Sequence, residues 1–506
     1  MQKILNQKQL KKADKTTIKN KQITSLDLME HASKQCFDWI HNRLQGNPIP
    51  IHVFCGIGNN GGDGLAIARM LKKHSYNIEV YIVNFSEKRT NDFLKNYERL
   101  KELGLWPKTI NTTSDLPTIS ENDMVIDAIF GIGLNKSPNG IAKETIQHIN
   151  QSNAYILSID IPSGLFVDRP ILDKNLVIKA FQTLTFETPK LAFFLPENEL
   201  FSVNTEVISI GLNQEFIQNQ KTNFQVIEKQ DILHKYKFRN KFSHKGNFGH
   251  SLIIGGSFGK IGAATLASKA CLKIGSGLVT AYIPKCGYTI LQTAIPEVMV
   301  EVDSENELEH FNFKTKPNAI GIGIGMGISK KTEKGFTQFL KANKIPLVID
   351  ADAINILAKN KDLLKHIPKN SILTPHPKEL ERLIGKWKND FEKLEKIRSF
   401  STKYAVILIV KGHFTAIAFK DKIYFNQTGN PALATAGSGD VLTGMLTGLL
   451  AQGYTSFDAS IIAVFLHGKT ADIALSTQVY ETFIARDILE ILPQAFTDLF
   501  AKDMEK

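Results

Sequence analysis

Cysteine is scarce in this chain: Cys36, Cys55, Cys271 and Cys286 are the only four in 506 residues, and no two form a C-x-x-C pair. That is too few to staple so long a chain, which excludes a disulfide scaffold and fits a reducing compartment. Long apolar runs are missing too. The longest, such as Ala405 to Val410, fall far short of the roughly 20 residues that a spanning helix needs, so no membrane span is expected. The stretch Met1 to Ala13 is rich in Lys and Gln and has no apolar h-region. It does not read as a secretory signal, and a cytoplasmic location is the expectation. Arginine supplies only nine of the 61 basic residues. Because Arg is the side chain suited to bidentate reading of phosphate and guanine, nucleic acid ranks last among the partners that a basic chain suggests.

What is present is an ordinary globular composition: 43% hydrophobic, 22% charged, with 35 Gly and 18 Pro, which excludes disorder and collagenous structure. A chain of 506 residues exceeds what one hydrophobic core supports, so two domains or more are required. The net charge of +11 is uneven. Residues 1–220 carry 24 basic and 23 acidic groups, and residues 221–506 carry 37 and 27. The excess sits in the second half, where it suits acidic small molecules or solubility.

Apolar strand-like runs alternate with amphipathic helical patterns in both halves, the signature of α/β architecture with largely parallel sheets. Expected strands in the first half are 51–55, 78–83, 124–128, 155–159, 183–186 and 207–210. Those in the second half are 251–254, 278–283, 319–324, 347–349, 371–373, 406–410 and 416–419. The apolar period lapses between Asn213 and Asn223, which gives domains of 1–215 and 222–506. A helix over Leu26–Ile40 opens the globular part, with Thr24 and Asp27 as a capping pair.

The first strand runs into Gly56-Ile57-Gly58-Asn59-Asn60-Gly61-Gly62-Asp63-Gly64, formally G-x-G-x-x-G between strand and helix. A dinucleotide fingerprint is opposed by the absence of an acid after the second strand, which reads Val83-Asn84-Phe85, and by Asp63 near the helix start. Paired Asn and Asp oxygens suit a monovalent cation, a sugar hydroxyl or an amide; the bland alternative is a turn that lets helix pack on strand. Two further strand ends repeat this chemistry: Asp127 followed by Gly131-Ile132-Gly133-Leu134, and Asp160-Ile161-Pro162-Ser163-Gly164. Ligands of open α/β sheets bind outside the carboxyl ends of strands, so the three loops are expected to share a pocket with Asp160 as its acid/base.

With Thr185-Phe186-Glu187-Thr188-Pro189-Lys190, these loops resemble the epimerase domain of the bifunctional NAD(P)H-hydrate repair enzymes over about residues 5–212. The resemblance implies that Asn59, Asn60, Gly61, Gly62, Asp63, Gly131, Ile132, Gly133, Leu134, Asn135, Lys136, Ser137 and Asp160 contact the hydrated nucleotide. It also implies that Asn60, Asp127 and Ser163 hold a potassium ion, and that Asp160 moves the proton at C6 while R and S hydrates interconvert.

The second half carries Ala434-Thr435-Ala436-Gly437-Ser438-Gly439-Asp440 ahead of a strongly apolar helix. Backbone N–H groups of Ala436 to Gly439 at the helix start make an anion hole, and Asp440 beside it is the candidate base for a hydroxyl attacking phosphorus; the bland alternative is a helix-capping Asp. Lys411 to Thr415 offers a phosphate cradle, and His376 sits at a strand-to-helix turn. Asp350 and Asp352 suit substrate hydroxyls, magnesium or the capping of the next helix. Gly255 to Ile261 is no P-loop, since Ile254 stands for its first Gly and Ile261 for its Ser or Thr. The aromatic, basic stretch Tyr236 to Phe242 reads as a strand leading into the second domain rather than as an RNA-binding one.

Together with His244-Lys245-Gly246-Asn247-Phe248-Gly249, these motifs resemble the ribokinase-like ADP-dependent dehydratase domain of the same repair enzymes over about residues 225–495. Lys378 stands where many relatives have Gly. The resemblance implies an α/β chain with a Rossmann-like domain followed by a ribokinase-like one. Ala263, Gly327, His376 and Asp440 would face the hydrate; Lys411, Gly412, His413, Phe414, Thr415 and Gly439 would face ADP. It further implies NADHX and NADPHX as substrates, magnesium at the dehydratase site, and a homo-oligomer. Two other readings stand beside it: a ribokinase-like kinase for a vitamin precursor or sugar, and a non-catalytic nucleotide- or RNA-binding scaffold.

Overall fold

A computed structural model describes residues 1–501 as two units. One comprises Lys3–Thr222 with Asn389–Phe391, and the other comprises Met1–Gln2, Asn223–Lys388 and the chain from Glu392 onward.

The first unit is built on seven strands in the order Lys108–Ile110, Ile78–Val83, Ile51–Cys55, Met124–Ala128, Tyr155–Ile159, Ala180–Phe186, Ser202–Ile208. All neighbours are parallel. The order reverses between Ile51–Cys55 and Met124–Ala128, so the loops after these two strands diverge to opposite faces and leave a crevice, as in Rossmann-like sheets. Register aligns Phe54, Asp127, Ser158 and Thr183 across four strands, which places the polar members of the row on one face.

Glycines fix the close approach of the helix Asn59–Lys73 to this sheet. A Cβ on Gly61 would lie 1.8 Å from the Gly56 carbonyl oxygen, and one on Gly64 would lie 2.6 Å from the Ala128 Cβ. The glycine spacing therefore answers to packing, while the intervening Asn60 and Asp63 keep their side chains for other work. The helix expected over Leu26–Ile40 spans Ser25–Leu44, closed at its start by the Thr24–Asp27 capping box.

The sheet of the second unit runs in the order Phe224–Val226, Lys422–Phe425, Ala416–Phe419, Ile407–Val410, Ile372–Leu373, Leu347–Ile349, Ala319–Ile322, His250–Ile254, Leu278–Ile283, Met299–Val302. Ala416–Phe419 runs antiparallel to both neighbours. The helix Ser438–Ala451 packs against Ile261–Lys273 through Gly444 and Gly448, where an added Cβ would come within 2.1 Å of the Ala267 carbonyl oxygen and 2.4 Å of Ile274. This brings the Gly437–Asp440 turn to the carboxyl ends of the central strands.

One expectation fails outright: Tyr236 to Phe242 forms no strand. Two of its cations are engaged elsewhere, Lys237 Nζ on the Gly453 carbonyl at 2.6 Å and Arg239 on the Gly275 carbonyl at 2.6 Å, with the guanidinium stacked over Phe248. The segment is held by side chains instead of a backbone ladder. The helix Gln7–Lys21 and the short strands Lys108–Ile110, Phe224–Val226, Met299–Val302 and Lys422–Phe425 were not expected.

Candidate functional site

In the first unit the crevice gathers three strand ends. Asp127 is fully buried and accepts four hydrogen bonds: from Ile129 N at 3.2 Å, Ser158 Oγ at 2.7 Å, Ser163 N at 2.9 Å and Ser163 Oγ at 2.5 Å. Ser163 Oγ in turn accepts from Phe130 N at 2.8 Å, tying the loop that continues into Gly131. Burial pushes the Asp127 carboxyl up and the Ser163, Ser158 and Ile129 donors oppose it. Asn60 is buried beside Gly131, where a Cβ would stand 3.2 Å from the amide, and its Nδ2 has no partner among the described residues. Asn59 is exposed, as are Gly133, Asn135 and Lys136 farther along the second loop; Ile132, Leu134 and Ser137 are half-buried. Gln7, from the unexpected first helix, donates to the Ile132 carbonyl and holds that loop.

Asp160 ends its strand in the left-handed region, φ 66°, a conformation costly for most residues and tolerated by Asp. Its Oδ1 lies 3.0 Å from Lys190 Nζ and accepts from Phe186 N at 3.3 Å. Two more carboxyls stand close. Asp63 is buried, takes Ser33 Oγ at 3.3 Å, and is pushed well up by burial and then by Asp160. Asp14, on the Gln7–Lys21 helix, is pushed up to about 6 by burial and then by Asp160, with Lys190 pulling the other way. Asp14 and Lys190 had no assigned role in the sequence. Lys190 stood inside a quoted motif, whereas Asp14 lies on a polar helix whose buried seam is only Leu10, Ala13 and Thr17.

The oxygens of Asn60, Asp127 and Ser163 fit a hard monovalent cation. Asp127 is a buried carboxylate held by neutral donors, with charge left for a cation to offset, and carboxylate, amide and hydroxyl oxygens are the donor class that such ions take.

In the second unit Gly437, φ 88°, caps the helix Ser438–Ala451, so Asp440 is not its cap but its third residue. A Cβ on Gly439 would lie 3.1 Å from Lys411 Nζ and 3.5 Å from Asp350 Oδ2. Lys411 Nζ is 3.0 Å from Asp350 Oδ1, and Thr443 Oγ1 donates to Asp350 Oδ2 at 2.9 Å. Asp350 stands at the cap position of Ala351–Lys359 but makes no side-chain cap, because its carboxylate turns to this pair. Burial, with Asp350 next, pushes Asp440 up to about 7; Lys411 pulls it down and Asp352 adds a smaller push up. His467, buried beneath the turn, donates from Nε2 to the Ser438 carbonyl at 3.0 Å. Burial holds that imidazole down at about 4, so it is neutral.

The remaining loops converge on this turn. Asp352 Oδ2 accepts from Gly327 N at 2.9 Å, and Ala263 abuts Gly325, where a Cβ would be 3.1 Å from its own. Lys411 N donates to the Pro375 carbonyl at 3.2 Å, which sets the His376 turn beside it. His376 caps Pro377–Ile384 through Nδ1 and meets Glu379 through Nε2 at 3.2 Å. Gly412 and His413 are exposed, Phe414 and Thr415 half-buried, and Thr415 Oγ1 closes the turn onto the Gly412 carbonyl at 3.2 Å. The pairings of Asp350 with Lys411 and Thr443, and of His467 with Ser438, had no signal in the sequence: the partners are 61, 93 and 29 residues apart.

A family model described as NAD(P)H-hydrate dehydratase matches residues 251–494, and another, described as YjeF-related protein N-terminus, matches residues 25–192. The bifunctional NAD(P)H-hydrate repair enzyme Nnr of Moorella thermoacetica is 32% identical over 496 residues, 94% of this chain and 93% of its own. The chain belongs to the bifunctional NAD(P)H-hydrate repair enzymes. The enzyme of the same name from Escherichia coli is 29% identical over 87% of this chain and 84% of its own. Among solved structures, the ADP/ATP-dependent NAD(P)H-hydrate dehydratase of Bacillus subtilis is 27% identical over 55% of this chain and all of its own, at a TM-score of 0.48. This repair-enzyme chain thus carries an epimerase domain ahead of a dehydratase domain, and the relatives lend nothing to the kinase or scaffold readings. Among the described residues, no helix is long and apolar enough to cross a membrane.

Proposed function

We propose that the two strand-end pockets divide the repair of damaged nicotinamide cofactor between them. The first interconverts R and S hydrates of NADH and NADPH, and the second returns the S hydrate to the dihydropyridine at the expense of ADP. Water added at C6 gives both epimers, and a dehydratase selective for S needs the epimerase to reach the rest.

The observation that carries the dehydratase reading is Asp440 at about 7, one residue from the Gly439 backbone and beside the Lys411–Asp350 pair. A carboxylate so poised takes the proton of the C6 hydroxyl as that oxygen attacks the terminal phosphorus of ADP. The new C6–O–P bond forms as the bridging P–O bond of ADP breaks, and AMP departs. The ring nitrogen lone pair then expels inorganic phosphate from C6, and loss of a proton from C5 completes the dihydropyridine. Backbone N–H groups from Ala436 to Gly439 would stabilise charge on the phosphoryl in flight. His467, hydrogen-bonded to the Ser438 carbonyl, braces the peptide that presents Gly439 N–H. Ala263, Gly327 and His376 would face the hydrate, and Lys411 to Thr415 with Gly439 the adenine nucleotide. Magnesium would ride on the nucleotide phosphates, offsetting their charge, as it does where one or two carboxylates suffice. Asp350 and Asp352 are the carboxylates at hand.

In the first pocket Asp160 would move the proton at C6, with residues Asn59 to Asp63 and Gly131 to Ser137 around the nucleotide. Potassium at Asn60, Asp127 and Ser163 would supply a fixed positive charge beside the substrate. The chain would act in the cytoplasm as a homo-oligomer.

Asp440→Asn should abolish ADP-dependent dehydration, by at least about 10²-fold, and leave epimerisation intact; Asp160→Asn should do the reverse. Substantial dehydration by the first variant, or unchanged R-to-S interconversion by the second, sinks the corresponding role.

A further inference from the structure

The epimerase pocket contains a lysine as buried as its hydrophobic core. The Lys190 side chain is 1% exposed, its Nζ 3.0 Å from Asp160 Oδ1 and donating to the Phe186 carbonyl at 2.8 Å. Asp160 is itself 6% exposed. An ammonium and a carboxylate this far from water are retained as ions only as each other's counter-charge.

The backbone is built to hold the pair. Asp160 and Glu187 both sit in the left-handed region, φ 66° and 59°, at the ends of neighbouring strands. The Glu187 carboxylate accepts from Ile210 N at 2.9 Å and Leu212 N at 3.0 Å, which anchors the turn that delivers Pro189 and Lys190. Lys190 and Phe186 N both engage Oδ1 of Asp160.

The groups that face this pair are Asp63 from the Asn59–Lys73 helix, Asp14 from Gln7–Lys21 and Cys36 from Ser25–Leu44. Burial pushes the Asp63 and Asp14 carboxyls and the Cys36 thiol up, and each also feels Asp160. Asp63 and Asp14 thus both feel Asp160, and the Lys190 ammonium contacts Asp160.

We propose that Lys190 is a positioning residue for epimerisation, whose ammonium is the counter-charge of Asp160 and pins its Oδ1, leaving Oδ2 for the substrate. The inference rests on Asp160 being the acid/base of this pocket.

The test uses the full chain and mixed hydrate epimers. R-to-S interconversion is measured from pH 5.5 to 9.5, with ADP-dependent turnover of the S hydrate in the same preparation as a control on the other domain. Lys190→Met should slow interconversion at least ten-fold near neutrality, with the rate recovering as pH rises and its rising limb displaced upward by a unit or more. Lys190→Arg, which keeps the charge, should leave the limb where it stands in the wild type. A uniform loss in Lys190→Met at every pH, a wild-type rate in that variant, or a limb displaced equally in Lys190→Arg overturns the role of Lys190. Interconversion at the wild-type rate by Asp160→Asn overturns the reading of Asp160 instead, and the inference with it. If Lys190→Met leaves the first domain unfolded, Lys190→Met/Asp160→Asn removes both buried charges. That double variant should restore cooperative unfolding without activity, and epimerisation by it contradicts the proposal.

Discussion

Replacing the two charged neighbours of Asp440 one at a time should move the pH dependence of dehydration in opposite directions. Asp440 is pushed up to about 7, by burial first and by Asp350 next, with Lys411 opposing. A raised carboxyl is mostly protonated below that value, so proton removal by Asp440 strengthens as pH rises through about 7. Asp350→Asn deletes a like charge and also frees Lys411, whose Nζ lies 3.0 Å from Asp350 Oδ1, to act on Asp440. Unit charges about 6 Å apart at an effective dielectric near 20 interact by about 2.8 kcal/mol, or roughly two pH units. Because Asp440 is partly open to solvent, about one unit downward is the expected shift. The ratio of the rate at pH 6 to that at pH 8 should then rise about five-fold, whatever happens to the limiting rate. Lys411→Met should shift the limb upward by a similar amount. The assay is kcat/KM for the S hydrate at saturating ADP, followed by the return of dihydronicotinamide absorbance. Both limbs moving the same way, or neither moving, would refute the claim that these charges set the base.

The neutral His467 makes stability acid-sensitive. A folded value of about 4 against an ordinary 6.5 means that its contribution is complete above 6.5 and fades as pH falls toward 4, by up to roughly 3 kcal/mol. Denaturant titrations of His467→Gln should show less acid loss across that window, and an unchanged pH profile would count against a buried neutral imidazole. Gly61→Ala forces a Cβ to 1.8 Å from the Gly56 carbonyl oxygen, so epimerisation and the cooperative unfolding of the first unit should vanish while dehydration of the S hydrate persists; a stable, active epimerase would contradict the packing described. Potassium should raise the melting temperature of the wild-type epimerase unit over an equal concentration of tetramethylammonium. Asp127→Asn should remove that difference, and a rise of the same size in the variant would clear Asp127 of cation binding.

Several of the strand ends that build both pockets were legible because each is an apolar run broken by Asp or Gly, as after Cys55, Ile159 and Ile349. The exceptions follow from length and locality. The missed strands, such as Lys108–Ile110 and Met299–Val302, are short and lie at or near sheet edges, where no long apolar run marks them. The helix Gln7–Lys21 carries Asp14 on a nearly uniform polar surface, so its function depends on where it docks and not on its own pattern. Lys190 looked like part of a motif but gained its meaning from Asp160, 30 residues earlier. The Asp350–Lys411–Thr443 cluster depends on three separate elements meeting, which no local spacing records. The Tyr236 to Phe242 segment misled because aromatic enrichment measures a fit to a half-buried surface, and here that surface is met by side chains on a chain without ladder partners.

The most direct measurement gives the wild-type chain an equal mixture of R and S hydrates with ADP and follows absorbance of the dihydropyridine together with AMP release. The expected result is return of the whole mixture, one AMP per dihydropyridine, in a fast phase for S and a slower one for R that disappears in Asp160→Asn. Recovery without ADP, or phosphorylated hydrate accumulating with no return of absorbance, would contradict a chain that dehydrates by phosphoryl transfer at Asp440.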